Sequence, residues 1–205
     1  MRATAEDIRQ AVALGREQHG VEFKAPGART NSHFLAIVIR AMIAMANRRD
    51  GGRVLIGIQE VAGKPVIKGL SEEDAGTWPH DHLADSVATY ADPRVDFDCH
   101  MVDVDTMRVI AIEVSEFPDV PVACKRSYQA GRKMLLRDGA IYVRSNRKPE
   151  SQEIENSDEA RELLDLATEK HVRRFMTQTE RIGIDLKSSI VERDHRLFAD
   201  EREAL

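Results

Sequence analysis

Apolar residues recur at helical spacing in four parts of this chain, and each recurrence predicts an α-helix. The first predicted helix follows Thr4, and the second follows Asn31 or Ser32. Each of these residues has a side-chain oxygen that can cap a helix N-terminus. The third pattern runs from Pro79 to about Ala91. The fourth begins near Ser157, with Ala160, Leu163 or Leu164, Ala167, His171 and Phe175 on one face.

Short stretches with period-two alternation predict β-strands between the helices. In Val21–Lys24, Val21 and Phe23 point to one side, while Glu22 and Lys24 point to the other. Further strands are predicted at Arg53–Ile58, around Val66-Ile67, at Val95–Val104 with Arg108–Val114 as its hairpin partner, at Lys133–Leu136 and at Ala140–Arg144.

These elements predict an α+β fold, with a mixed or antiparallel β-sheet flanked by helices over residues 1–149. A helical C-terminal extension is predicted over residues 150–205. The composition, 42% hydrophobic and 32% charged, is typical of a soluble globular protein. Since no apolar run approaches the ~20 residues that span a bilayer, no membrane segment is expected. Two cysteines and no apolar leader favour a cytoplasmic location.

The net charge of the chain is −5, which argues against a nucleic-acid partner, but the charge is unevenly distributed. Residues 121–149 have a local net charge of +7, and residues 150–166 one of −6. A local basic surface governs phosphate binding more than the whole-chain sum does. Two solvated faces that partly neutralise each other are the alternative. The basic residues are Lys125, Arg126, Arg132, Lys133, Arg137, Arg144, Arg147 and Lys148.

Three glutamates and a lysine near strand ends are candidates for metal and phosphate chemistry: Glu17, Glu22, Glu60 and Lys24. Carboxylates brought together raise one another's pKa unless a cation neutralises them. Mg²⁺ and Mn²⁺ prefer such hard oxygen ligands, and a lysine on the same strand face could stabilise charge on a phosphate. Because the chain has 35 acids, unrelated surface carboxylates are the alternative.

Other motifs indicate structure rather than chemistry. Gly51-Gly52 precedes an apolar strand but lacks the Gly-Lys-Ser/Thr of a phosphate-binding loop, so a structural turn is favoured. Cys99 and Cys124 lack the paired spacing of a zinc site and are predicted to be small core residues.

Together, these residues resemble the Schlafen-type AlbA domain family. The resemblance begins with Glu17 and Glu22-Phe23-Lys24 and extends, over most of the chain, to about Lys148. The matching motifs between these ends are Ala46-Asn47, Gly51-Gly52, Leu55-Ile56-Gly57-Ile58 ending at Glu60, Gly69-Leu70, Pro93, the strand Val109–Val114, Pro121-Val122 and Gly139–Ser145.

The resemblance implies a metal-dependent endoribonuclease that acts on structured RNA such as tRNA. In this interpretation Glu17, Glu22 and Glu60 bind Mg²⁺ or Mn²⁺, and Lys24 matches the family's site lysine, so these four residues are the implied catalytic set. The eight basic residues from Lys125 to Lys148 would follow the nucleic-acid backbone, with RNA expected rather than DNA.

This chain departs from the family pattern in three ways. Glu60 stands where an aspartate is usual, and three residues, Arg48-Arg49-Asp50, separate Asn47 from Gly51. The larger nucleases of the family pair two related lobes around the substrate, whereas this chain has one. We therefore expect a homodimer, with the C-terminal helix as a candidate interface.

Two other functions compete with RNA cleavage. The first is a nucleic-acid-binding module without chemistry, such as a transcriptional regulator, although no helix-turn-helix pattern follows Pro149. A module that only binds nucleic acid does not need Glu17, Glu22 and Glu60 together. The second is nucleotide binding, which the absence of a Walker lysine and of a Walker serine or threonine disfavours.

Overall fold

The computed structural model describes residues 2–145 and 149–183 of the 205-residue chain. Within these ranges the helices are α1 (Ala5–Ala13), α2 (Ser32–Ala46), α3 (Glu72–Ala75), α4 (His80–Tyr90) and α5 (Ser157–Arg181). The strands are β1 (Val21–Lys24), β2 (Gly52–Ile56), β3 (Ile58–Val61), β4 (Lys64–Ile67), β5 (Ala91–Asp92), β6 (Phe97–Val104), β7 (Met107–Val114), β8 (Ala123–Cys124), β9 (Tyr128–Ala130), β10 (Lys133–Leu136), β11 (Tyr142–Arg144) and β12 (Ser151–Glu153).

The central sheet has the strand order β1-β2-β7-β6. Its first pair, β1 with β2, is parallel, and the other two pairs are antiparallel. Smaller two-stranded sheets are formed by β3 with β4, β5 with β8, β9 with β10, and β11 with β12. The fold is therefore α+β with a mixed sheet, which confirms the class predicted from the sequence.

Helix α1 covers one face of the central sheet. Its N-cap is Thr4, whose side chain accepts from the backbone N–H of Asp7, while the Asp7 carboxylate accepts in return from the backbone N–H of Thr4. Ile8 is fully buried and packs with Leu55 of β2 and Val109 of β7. The cap at Thr4 was predicted from the sequence.

Helix α2 is the most buried helix of the first part of the chain. Its N-cap is Asn31, whose side chain accepts from the backbone N–H groups of His33 and Phe34. It packs against β2 and β7 of the central sheet and against β10, β11 and β12. The helix therefore joins the central sheet to the small sheets that follow it in the chain.

The predicted strand Arg53–Ile58 is two strands in the structure. The break falls at Gly57, where φ is +112° and an added Cβ would lie 3.2 Å from the carbonyl oxygen of Arg108. As a result β2 stays in the central sheet, while β3 turns away to pair with β4. The predicted strands Lys133–Leu136 and Ala140–Arg144 are also present, but they pair with β9 and β12.

By compactness the chain divides into two units, Met1–Leu164 and Asp165–Leu205. The elements from α1 to β12 belong to the first unit, and α5 begins in the first and continues into the second. The predicted apolar face of α5 is partly wrong, because Leu163 and Leu166 are its buried leucines while Phe175 is 53% exposed. No helix in the described ranges is long and apolar enough to cross a membrane.

Candidate functional site

The alternation of β1 places its two polar side chains on the sheet face opposite α1. Val21 and Phe23 point to the same side, as predicted, and they pack with the cluster around Ile8. Glu22 and Lys24 therefore point to the other face, where they meet β11 and β12. This position is unusual for a carboxylate, since only 5% of Glu22 is exposed.

Both carboxylate oxygens of Glu22 have cationic or hydroxyl partners. Oε1 forms an ion pair with Nζ of Lys24. Oε2 accepts from Nη1 of Arg144 at 2.6 Å and from the hydroxyl of Ser151 at 2.5 Å. These bonds compensate the cost of withdrawing the charge of Glu22 from water.

Arg144 is the centre of this buried network, and its side chain is only 2% exposed. Besides Glu22, its guanidinium donates to the carbonyl oxygens of His19 and Gln18 at 3.3 Å, and it lies 3.7 Å from Oε2 of Glu17. The prediction that Arg144 contacts nucleic acid is therefore wrong. Its charge is buried and already paired, so it is out of reach of a phosphate backbone.

Glu17 reaches the network through the turn that precedes β1. Its Oε1 accepts from the backbone N–H of Phe23 at 2.5 Å, which holds the carboxylate beside the strand. Burial raises the pKa of Glu17, and the negative charge of Glu22 adds to the rise, while the Phe23 N–H, Lys24 and Arg144 oppose it. We name the group of Glu17, Glu22, Lys24, Arg144 and Ser151 the carboxylate network.

Glu60 does not take part in the carboxylate network. It lies on β3, opposite Pro65 of β4, and it is exposed. In the part of the chain that the structure describes, its side chain forms no ion pair or hydrogen bond, and no three His, Cys, Asp or Glu side chains are grouped so as to hold a metal ion. The structure thus brings Glu17, Glu22 and Lys24 together but leaves Glu60 apart.

A divalent cation does not fit the carboxylate network in this arrangement. Both oxygens of Glu22 are engaged, and the positive charges of Lys24 and Arg144 already neutralise the two carboxylates. A hard cation would need carboxylate oxygens that are free to coordinate it. We therefore derive no chemical step through a metal here.

The glycine turn before β2 is a structural feature, as predicted. Gly51 has φ of +67°, and a Cβ there would lie 2.1 Å from the carbonyl oxygen of Val114. A Cβ on Gly52 would lie 2.3 Å from the sulfur of Met45. The turn therefore needs glycine because the chain passes too close to α2 and β7 for a side chain.

Asn47, at the C-cap of α2, has a structural role that sequence reasoning missed. It is 5% exposed, and its side-chain amide donates to the carbonyl oxygens of Val122 and Tyr142 and accepts from the backbone N–H of Val122. These three bonds attach α2 to the segment before β8 and to β11. The partners lie 75 and 95 residues away, so no local pattern in the sequence signals them.

The cysteines are core residues, as predicted. Cys99 is 8% exposed and Cys124 is 1% exposed, and neither forms a disulfide. Burial raises the pKa of the Cys99 thiol to about 12, with the charge of Asp98 adding to the rise. The thiol of Cys99 is therefore protonated at neutral pH and has no nucleophilic role.

Apart from the buried Arg144, the predicted nucleic-acid-binding residues divide into three groups. Lys125, Arg126, Arg132 and Lys133 are exposed and form no ion pair with any residue of the described ranges. Arg137 is also exposed, but it forms an ion pair with Glu153 of β12. Arg147 and Lys148 lie outside the described residues.

The four unpaired cations lie on two segments that are joined through short-range contacts. The segment after β8 runs beside the turn after β10, where Gly139 N–H donates to the carbonyl of Cys124 at 2.7 Å and Asp138 N–H donates to the hydroxyl of Ser127 at 3.0 Å. The β9–β10 hairpin has its turn at Gly131, and Lys125 and Arg126 lie next to its opposite, open end. Arg132 and Lys133 lie at that turn. We name these four residues the basic patch.

A small α+β domain with a buried carboxylate network and an exposed basic patch is the class that the geometry defines. The chain matches the model of the family Schlafen, AlbA_2 over residues 17–155, and it belongs to that family. This confirms the resemblance found from the sequence. Membership of the family supports a function related to nucleic acids.

Two solved structures are similar to the chain at a low level. The DIP2311 protein from Corynebacterium diphtheriae has a TM-score of 0.49 at 20% identity, over 76% of this chain and 26% of its own. The N-terminal domain of a protein from Nitrosomonas europaea described as ATP-dependent DNA helicase RecG-related has a TM-score of 0.48 at 22% identity, over 67% of this chain and 89% of its own. The chain thus spans about a quarter of the length of the first. At these values neither similarity bears on function, and the comparison with curated proteins finds no match.

Proposed function

We propose that this protein binds nucleic acid through the basic patch, and that RNA is its partner. The observation that carries the proposal is the set of four exposed cations, Lys125, Arg126, Arg132 and Lys133, without carboxylate partners in the described residues. Cations that are already paired inside a protein add little to phosphate binding. Unpaired ones release counterions from the nucleic acid and gain affinity.

The position of the basic patch supports this proposal. Lys125 and Arg126 follow β8, whose partner strand and neighbouring turn are fixed by backbone hydrogen bonds. Arg132 and Lys133 lie at a tight turn with Gly131 at φ of +60°. A phosphate backbone can therefore approach side chains that stand on rigid segments and keep their charges in solvent.

The test is a fluorescence anisotropy titration of end-labelled tRNA in EDTA with three proteins. These are the wild type, the double variant Lys125→Gln/Arg126→Gln, and the control Lys64→Gln/Lys68→Gln, which removes the same charge from exposed lysines in and just after β4. We expect the first variant to lose roughly tenfold or more in affinity. Equal loss in both variants would show that only net charge matters, and it would contradict the proposed site.

RNA cleavage is the second candidate function. The observation that favours it is the close grouping of Glu17, which precedes β1, with Glu22 and Lys24 of β1, in a chain of the Schlafen, AlbA_2 family. Since the carboxylate network does not fit a metal in this arrangement, the candidate requires Arg144 to give up its bonds and Glu60 to move toward Glu22. We therefore rank RNA cleavage second to nucleic-acid binding.

The cleavage test uses tRNA incubated with Mg²⁺ or Mn²⁺, with EDTA in parallel. Glu22→Ala is a poor variant because it removes a buried, fully bonded side chain, so we choose Glu60→Gln, with the exposed Glu73→Gln as the charge-matched control. Discrete fragments that need the metal, disappear in Glu60→Gln and persist in Glu73→Gln would support cleavage. If the tRNA stays intact but bound, the result would instead support a nucleic-acid-binding module without cleavage activity.

We also propose a homodimer, which was predicted from the sequence. Its support is that the C-terminal half of α5 exposes three large apolar side chains, Val172, Phe175 and Met176. Light scattering should give twice the mass of the chain, and Phe175→Ser should shift the protein toward monomer. A monomer at the concentrations used for RNA binding would contradict the proposal.

A further inference from the structure

One charged residue interrupts the most buried stretch of α2. From Val38 to Asn47 every residue is buried except Arg40, which is half-buried. This stretch of α2 packs on the central sheet and on β10, β11 and β12. Arg40 therefore lies on a stretch of α2 that is packed against other elements, not on a helix face that is open to solvent.

Arg40 has no partner among the described residues. Its Nε is shut off from solvent and forms no hydrogen bond, and its guanidinium forms no ion pair with any side chain that the structure describes. Arg144, by comparison, is buried and bonded to carboxylates and carbonyl oxygens. Part of this half-buried guanidinium is therefore withdrawn from water without a compensating hydrogen bond, which calls for an explanation.

The surroundings of Arg40 are basic. Tyr142 of β11 is 4% exposed, and its hydroxyl accepts from the backbone N–H of Arg137 at 2.8 Å. Burial raises the pKa of Tyr142, while that N–H and the positive charges of Arg40 and Arg137 oppose the rise. The helix of Arg40, α2, packs against β10 and β11, the two strands that flank the turn carrying Arg137.

The same turn leads to the basic patch. Gly139 donates to the carbonyl of Cys124, immediately before Lys125 and Arg126. Of the acids on these segments, Glu153 is already paired with Arg137, and Asp138 forms no ion pair with Arg40. The segments around this turn therefore have more cations than carboxylates that could neutralise them.

We propose that Arg40 is an anion-binding residue that takes a phosphate group beside the basic patch. The guanidinium suits this ligand because its planar fork can donate to two phosphate oxygens, and a half-buried position strengthens each bond. The phosphate belongs either to the backbone of a bound nucleic acid or to a free phosphate. The first source rests on the function proposed above, and the second does not.

The first experimental arm uses inorganic phosphate and measures thermal unfolding against chloride at equal ionic strength. We expect phosphate to raise the Tm of the wild type, because a ligand bound only by the folded state stabilises it. Arg40→Met should lose this phosphate-specific rise and be at least as stable as the wild type in chloride, since it removes a half-buried charge that has no partner among the described residues. Lys64→Gln should keep the rise. If Arg40→Met does not fold, Arg40→Lys replaces it and should show a weaker rise.

The second arm measures tRNA binding in EDTA with the same proteins. For a nucleic-acid phosphate we expect Arg40→Met to lower affinity roughly fivefold or more, and to reduce the salt dependence by about one charge. A lost phosphate response with unchanged tRNA affinity would support the site with free phosphate as its ligand.

The two proposals can fail separately. A wild type that responds to phosphate but does not bind tRNA would overturn the proposed function and support the Arg40 site. A wild type without a phosphate-specific rise, together with an Arg40→Met variant that binds tRNA normally, would overturn the Arg40 site.

Discussion

The carboxylate network and the basic patch are both rich in charge, but they treat it in opposite ways. Around Glu22 each charge is buried or half-buried and is paired with an opposite charge, and the Arg144 side chain is only 2% exposed. In the basic patch Lys125, Arg126, Arg132 and Lys133 keep their charges in solvent, without an ion pair to any described residue. The charges of the first arrangement are already engaged inside the fold, whereas those of the second are available to a ligand. Burial and pairing of the charges, rather than their number, therefore distinguish the structural region of this chain from the region that we propose binds a ligand.

The largest effect on stability is expected from Arg144→Met. This change leaves Glu22 buried with Lys24 as its remaining cation, and we expect a loss of about 3–5 kcal/mol in the free energy of unfolding. Urea denaturation measures it. Arg137→Met is the control, since that exposed ion pair should contribute about 1 kcal/mol or less. Similar losses of unfolding free energy in the two variants would contradict the distinction between buried, paired charges and exposed ones.

A smaller effect is expected from Ser151→Ala. The hydroxyl of Ser151 donates to the buried carboxylate of Glu22, and a hydrogen bond to a charged group contributes about 1.5–3 kcal/mol. Ser127→Ala removes an exposed hydroxyl that accepts from Asp138 N–H and should cost less. The same denaturation experiment compares them. An Ser151→Ala variant as stable as the wild type would mean that the bond to Glu22 has no net value.

The third prediction concerns pH. Because burial raises the pKa of Glu17, the folded protein binds a proton there more tightly than the unfolded chain does, so ionised Glu17 opposes folding at neutral pH. Glu17→Gln keeps an oxygen for the Phe23 N–H and should stabilise the protein at pH 7 by less than about 1 kcal/mol. This advantage should shrink as the pH falls through the raised pKa of Glu17, because the wild type then gains stability by protonation. Denaturation at pH 7 and at about pH 4 measures it. An advantage that grows toward low pH would mean that Lys24 and Arg144 favour the ionised form.

The smallest effect on stability is expected in the basic patch. Lys125→Gln/Arg126→Gln removes two solvated charges without a partner, so the free energy of unfolding should change by about 0.5 kcal/mol or less. Thermal unfolding of this variant beside the wild type gives the value. A loss comparable with that of Ser151→Ala would show that these side chains support the fold.

Local sequence patterns predicted the elements but not the pairing between them. The capped start of α1 at Thr4, the alternation of β1 and the glycine turn before β2 depend on neighbouring residues, and each is present. The contact of Arg144 with Glu22 joins residues 122 positions apart, and nothing near Arg144 distinguishes it from the exposed cations around it. Glu60 was grouped with Glu22 by resemblance, and the break at Gly57 carries it into a different sheet.

The most direct test of the account is the salt dependence of tRNA binding, measured in EDTA for the wild type and for Lys125→Gln/Arg126→Gln. We predict that the logarithm of the association constant falls steeply with the logarithm of salt concentration. The slope should become shallower by about 0.7–0.9 for each phosphate contact removed in the variant. Equal slopes and equal affinities for the two proteins would contradict the assignment of nucleic-acid binding to the basic patch.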